Sequence, residues 1–191
     1  PQLAAMGGGN TVFMSIAAGI GLTRLAETLG KHTPIIRAMP NTPAAVGRGI
    51  TALIGNDRVS GATLATAQAL MEAVGQSVLL EHEGQMDAVT ALSGSGPAYV
   101  FHLIETLAAA GTEQGLPPEM ALKLARATVA GAGALAEQSG EDPGQLRINV
   151  TSPGGTTAAA LGVLMDAETG FPALMRRAVT AAANRSKELG E

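Results

Sequence analysis

With 191 residues, 46% of them hydrophobic, the chain can bury a real core, either as one domain or as two small ones. A net charge of −4 and 2% aromatics, with Tyr99 the sole tyrosine and no tryptophan, leave neither a basic phosphate-tracking surface nor a base-stacking platform, which argues against nucleic acid as a partner. Zero cysteines exclude disulfides and thiolate metal sites, and no stretch reaches the roughly 18 continuous apolar residues of a membrane span, so a soluble, cytoplasmic protein is expected. The chain opens at Pro1 without an initiator methionine or a signal-peptide pattern and reads as a fragment.

Residues 1 to 80 alternate strand and helix patterns. Thr11 to Ala17 is a short β-branched and apolar run bounded by Gly9-Asn10 and Gly19, and Leu22, Leu25, Ala26 and Leu29 then fall at helical spacing. Thr33 to Met39 repeats the strand signal and stops at Pro40-Asn41-Thr42-Pro43; Gly49 to Ile54 is a further strand. Ser60 to Val74 predicts a helix with Leu64, Ala67, Leu70, Met71 and Val74 inward, and Gln76 to Leu80 a last strand. Such alternation implies an open α/β sheet with crossover helices, whose ligands bind at the carboxyl ends of the strands. The turns Ala17-Ala18-Gly19 and Met39-Pro40-Asn41-Thr42-Pro43 lie at such ends. Gly7-Gly8-Gly9-Asn10 precedes a strand and lacks Gly-x-Gly-x-x-Gly spacing, so it reads as a turn and not as a phosphate loop.

From about Glu83 only helices are expected. Met86 to Leu92 is a short helix that breaks at Ser93-Gly94-Ser95-Gly96-Pro97, and Ala98 to Ala110 is a strongly apolar one with Pro97 suited to its first turn. Pro117-Pro118-Glu119 opens another through Leu135, containing the small-residue run Ala127 to Ala134. Each helix-interior glycine costs about 1 kcal/mol relative to alanine, so tight packing is expected to compensate. Two such apolar helices exceed what about a hundred residues can bury, which implies cover by another subunit. Asp142 to Asn149, Thr156 to Met165 and Phe171 to Leu189 complete the helices.

Between the last three lies Val150-Thr151-Ser152-Pro153-Gly154-Gly155-Thr156-Thr157. Pro153 and the glycine pair end one helix, and Thr156 or Thr157 can cap the next. Free backbone N–H groups at a helix N-terminus, with no Cβ at Gly154 or Gly155 to fend off a ligand, suit a carboxylate; an ordinary capped turn is the alternative. His32, His82 and His102 show no metal-ligand spacing, so no metal site is expected. Ser93 and Ser95 have no identifiable base beside them and read as caps.

Four ordered motifs carry a family resemblance: Ser15-Ile16-Ala17-Ala18-Gly19, Arg37-Ala38-Met39-Pro40-Asn41-Thr42-Pro43, Leu92-Ser93-Gly94-Ser95-Gly96-Pro97-Ala98-Tyr99, and Val150 to Thr157. In these the chain resembles the pyrroline-5-carboxylate reductases, oxidoreductases of the last step of proline biosynthesis. The resemblance implies a partial Rossmann-type parallel sheet over 1–82, the later half of an NADP-binding domain. A helical dimerisation and substrate-binding domain similar to the C-terminal domain of 6-phosphogluconate dehydrogenase would follow over 83–191. It implies hydride transfer from NADPH, or less commonly NADH, to the imine carbon of 1-pyrroline-5-carboxylate, which becomes C5 of proline, and a homodimer that can assemble into decamers.

Carried over residue by residue, Ala17, Ala18, Gly19, Met39, Pro40 and Asn41 would border the cofactor. Ser152, Gly154, Gly155 and Thr156 would hold the substrate carboxylate, and the Thr157 hydroxyl would reach the ring nitrogen as the catalytic group. The family carries a glycine-rich dinucleotide turn in a further N-terminal segment, so this polypeptide is expected to dimerise yet turn over little NADPH alone. Related hydroxyacid dehydrogenases place a lysine soon after a glycine-rich helix start; here Val100 and Phe101 occupy that neighbourhood and Lys123 reads as solvated, which favours imine over alcohol chemistry. A non-catalytic helical oligomerisation module binding a small carboxylate, or a reductase of another imine or hydroxyacid, are the alternatives.

Overall fold

The computed structural model describes residues 3–190, which pack as two compact units: 3–97 together with 178–190, and 98–177.

The first unit is built on a four-stranded sheet in chain order, β1 (Phe13–Ser15), β2 (Ile35–Met39), β3 (Gly49–Gly55) and β4 (Gly75–Leu79). The helices α1 (Leu22–Leu29) and α2 (Gly61–Glu72) connect β1 to β2 and β3 to β4, and both pairs run parallel. The sheet is thus mainly parallel, with one difference from the all-parallel expectation: β2 and β3 are antiparallel. Their link, residues 40–48, holds only a 3-10 turn at Thr42–Val46, shorter than the dozen or more residues a parallel crossover requires.

All five residues of β2 are buried, as expected for an inner strand covered on both faces. Ile36 and Ala38 on one face, with Leu53 of β3, pack against Ala67 of α2, and Val59, Leu64 and Met71 flank them. Full burial of Ile36 or Leu53 contributes about 1.5–3 kcal/mol each. Leu70, expected to face inward, is instead 60% exposed, because the buried stripe of α2 runs through Leu64, Ala67 and Met71 and Leu70 lies to its side. Ser60 caps α2, its hydroxyl accepting from the Thr63 N–H at 3.1 Å. The Gly8 N–H is bonded to the Thr33 hydroxyl at 2.8 Å, so the early glycine run has a structural use.

Beyond the sheet, α3 (Met86–Val89) does not break at Ser93. It widens into a π turn over Thr90–Gly94, marked by Ser95 N–H donating to Thr90 C=O at 2.8 Å, and α4 (Gly96–Glu113) follows. The Ser93 hydroxyl, expected to cap, bonds back to the Val89 carbonyl at 3.0 Å.

The second unit is helical: most of α4, then α5 (Pro118–Ser139), α6 (Pro143–Asn149), α7 (Thr156–Leu164) and the start of α8 (Phe171–Gly190). Asp142 caps α6, its carboxylate accepting from the Gly144 and Gln145 amides. Within this unit, the buried apolar side chains among the described residues are only Ala121 and Ala125, while Phe101, Leu124, Leu135 and Val163 are more than half exposed. A Cβ added at Gly131 or Gly133 would meet nothing within 4 Å. The tight packing expected of the small-residue run is therefore not supplied by this chain. An apolar cleft of about 460 Å³ opens between Leu103, Leu107, Val129, Leu164 and Phe171. Among the described residues, no helix is long and apolar enough to cross a membrane.

Candidate functional site

In the first unit the two turns expected at the cofactor are neighbours. β1 and β2 run parallel with Ser15 level with Arg37, so Ala17 and Met39 each lie two residues further toward the same carboxyl edge. Ala17 and Ala18 are exposed and small, which leaves that edge open to a flat group. Gly19 differs. It is buried with φ +75°, and a Cβ there would lie 2.8 Å from Leu189 Cβ, so its glycine is demanded by the end of α8. Met39 is also buried; a Cβ at Gly94 would approach its sulfur at 3.7 Å, so Met39 has only main chain to offer a ligand.

Asn41 is a brace. Its Oδ1 accepts from the Ile50 N–H at 2.9 Å and its Nδ2 donates to the Ser93 carbonyl at 3.1 Å. That carbonyl needs an outside donor because its helical partner four residues on would be Pro97, which has no N–H. The brace was detectable in sequence only as a spacing, a proline four residues after a serine, and nothing local pointed to Asn41 as the answer.

Two charged groups that sequence reasoning did not single out complete this region. Arg37, 7% exposed in the middle of β2, pairs with Glu83 at 2.5 Å, and the same carboxylate oxygen accepts from the Leu22 N–H at 2.7 Å. Ser186 of α8 donates to Asp87 of α3 at 2.7 Å.

In the second unit the loop after α6 is tightly wound. The Thr151 hydroxyl donates to the Arg147 carbonyl at 2.5 Å, the Gly155 N–H donates to the Ser152 carbonyl at 3.1 Å, and Gly154 turns the chain at φ +69°. A Cβ on Gly155 would fall 2.6 Å from Ser152 Oγ. Gly155 itself is the N-cap of α7, in extended conformation and with no side-chain capping bond. This corrects the expected capping role of Thr156 or Thr157: they occupy the first two helical positions, and among the described residues neither hydroxyl is taken up by a partner. The first intrahelical bond is Ala159 N–H to Gly155 C=O at 3.1 Å, so the N–H groups ahead of it have no helical acceptor. A helix start with bare donors, two hydroxyls and Ser152 beside it suits an anion.

Other candidates resolve into local contacts. His82 bonds within the turn it shares with Gln85, and His102 contacts Glu105 at 3.1 Å. Lys123 is exposed on α5. Among the described residues, no group of three His, Cys, Asp or Glu could hold a metal. The Asp166 carboxyl is held below its usual range by the Thr169 amide, then the Thr169 hydroxyl and the Glu168 amide.

A mainly parallel sheet with open turns at its strand ends, in one chain with a helical unit whose α7 start is uncapped, is an architecture that fits the dinucleotide-dependent reductases, with ligands at the carboxyl ends of the strands. The family model for pyrroline-5-carboxylate reductase dimerisation matches residues 83–189. Pyrroline-5-carboxylate reductase of Synechocystis sp. is 48% identical over 191 residues, covering 99% of this chain and 70% of that protein. The solved structure of a pyrroline-5-carboxylate reductase from Coxiella burnetii superposes with a TM-score of 0.92 at 39% identity, covering 100% of this chain and 70% of that one. Pyrroline carboxylate reductase of Plasmodium falciparum, solved with NADP bound, gives 0.85 at 34% identity, covering 95% and 68%. The chain belongs to the pyrroline-5-carboxylate reductase family, and it spans about two thirds of the length of these relatives.

Proposed function

We propose that the protein reduces 1-pyrroline-5-carboxylate to L-proline, and that the observation carrying this reading is the uncapped start of α7 in a chain of this family. The substrate carboxylate is assigned to the first free N–H groups of α7, at Thr156 and Thr157, with the Ser152 hydroxyl beside them and Gly154 and Gly155, whose own N–H closes on the Ser152 carbonyl, shaping the turn. NADPH or NADH supplies a hydride to the imine carbon, the atom that becomes C5 of proline; NADPH is favoured by the NADP bound in the Plasmodium relative. As the hydride adds, the π pair of the C=N bond moves onto nitrogen, which enters protonated as the iminium or takes its proton from water, and ends as the amine of proline. Thr157 is assigned to that nitrogen. A threonine hydroxyl is a weak acid, so its main work is to orient the ring, with proton relay secondary.

On the sheet unit, the open edge formed by Ala17, Ala18, Pro40 and the main chain of Met39 and Asn41 fits the flat nicotinamide end. The small side chains of Ala17 and Ala18 leave room for a ring, and Gly19 contributes by letting α8 pack behind the turn. The exposed apolar faces of α4, α5 and α7 are assigned to a homodimer through 83–191; assembly into decamers would build on that dimer.

The test is a coupled pair of measurements on the full-length protein: oxidation of NADPH and NADH with 1-pyrroline-5-carboxylate, and calorimetry with L-proline. Thr157→Ala is expected to lower kcat about 10- to 100-fold while sedimentation shows an unchanged oligomer. Absence of any substrate-dependent NAD(P)H oxidation, or of proline heat, would sink the reading. Proline heat without turnover would instead support a carboxylate-binding module.

A further inference from the structure

We infer that Glu83 is a positioning residue that sets the spacing of the two turns on the cofactor side of the sheet unit, an inference that rests on the assignment of those turns proposed above.

Three observations carry it. First, α1 starts without a cap of its own: its N-cap is Gly21, which has no side chain to offer, and the Leu22 N–H is instead taken by Glu83 Oε1 at 2.7 Å. A carboxylate at a helix N-terminus also meets the positive end of the helix dipole. Second, the same oxygen holds Arg37 at 2.5 Å. Arg37 is a buried cation on β2, two residues before Met39, and removing the partner of such a charge leaves it uncompensated. Third, the groups held by this one atom belong to the two segments that form the open edge. Leu22 ends the loop that contains Ala17, Ala18 and Gly19, and Arg37 leads directly into Met39-Pro40-Asn41.

β1 and β2 pair over only three residues, so their ladder alone is a weak determinant of where the two turns sit. Glu83 ties them beyond the ladder. A cleft of about 380 Å³ bounded by Gly19, Gly21, Arg37, Glu83, Asp87 and Ser186 adjoins the tie, so the loop has space to move into if it is released. Glu83 itself is assigned no contact with substrate or cofactor.

The experiment uses the full-length enzyme and two variants. Glu83→Gln keeps an acceptor for Leu22 but gives Arg37 no counter-charge. Glu83→Asp keeps the charge, which protects folding, but is one methylene too short to hold both donors. Each is expected to raise the KM for the dinucleotide about tenfold, while kcat at saturating cofactor and the KM for pyrroline-5-carboxylate stay within about twofold. A merely structural role would lower the melting temperature and the fraction of active enzyme and leave the dinucleotide KM alone. A dinucleotide KM within twofold of the parent in folded Glu83→Asp overturns the positioning role whatever Glu83→Gln does. A parent enzyme with no reductase activity overturns the functional reading and this inference with it, so the two failures are told apart by the parent's own assay.

Discussion

Replacing Asn41 with alanine removes two hydrogen bonds at once, the donor to Ser93 C=O at 3.1 Å and the acceptor for Ile50 N–H at 2.9 Å. Neither orphaned group has a ready substitute. The donor four residues on from the carbonyl would be Pro97, which has no N–H, and Ile50 pairs through β3 with β4 on its other side. A backbone group left unmet costs about 1–3 kcal/mol; both are half-buried, where water reaches in part, so the low end applies and the sum is about 2 kcal/mol. The assay is amide hydrogen exchange read at Ile50. At about 1.4 kcal/mol per factor of ten, the share of about 1 kcal/mol that belongs to the Ile50 bond is expected to accelerate its exchange about fivefold. Asn41→Asp separates the two bonds, because it keeps an acceptor for Ile50 and loses the donor to Ser93. Ile50 protection should survive in that variant while the urea midpoint falls by about half as much as in Asn41→Ala. Unchanged Ile50 exchange in Asn41→Ala would refute the reasoning, and would return Asn41 to service as a direct ligand of the cofactor.

Gly19→Ala puts a Cβ at 2.8 Å from that of Leu189 and 3.0 Å from its carbonyl on a residue with φ +75°, and is expected to destabilise by about 2 kcal/mol in thermal unfolding; adding Leu189→Ala, which keeps every contacting atom, should recover none of it. Gly155→Ala forces Ser152 Oγ from its place, a 2.6 Å approach, and should weaken proline binding about tenfold by calorimetry with little change in melting temperature. The Asp166 carboxyl is lowered on folding, so its contribution to stability is fully present above the unfolded value and is lost as pH falls through the lower folded value. Asp166→Asn should therefore flatten the acid-side fall of the urea midpoint and leave the neutral-pH slope unchanged.

What the amino-acid order determined by itself was whatever has a short-range cause. Leu22–Leu29 is helical over the span predicted, because apolar spacing and the glycines at both ends act within one or two turns. β2 ends at Met39 because Pro40 follows, and Pro118 and the glycines around 140 and 154 bound their helices in the same way. The loop from Val150 to Thr157 was likewise visible as a break with free donors, although which residue caps α7 was not: Gly155 and a threonine both suit the position, and the turn at Gly154 decides between them.

Only the tertiary structure decided the rest, since those features join residues far apart in the chain. The antiparallel turn of β3 depends on how much chain nine residues can carry across a sheet. Asn41 meets a carbonyl 52 positions away, and Glu83 reaches Leu22 across 61 and Arg37 across 46. Gly19 is a glycine because of Leu189, which no local pattern connects to it. Hydrophobic period and turn chemistry act within a few residues, whereas a buried carbonyl, a lone cation or an uncapped helix start takes whichever partner the fold delivers. The turns that border the proposed site could be read from the sequence; the side chains that hold them in place could not.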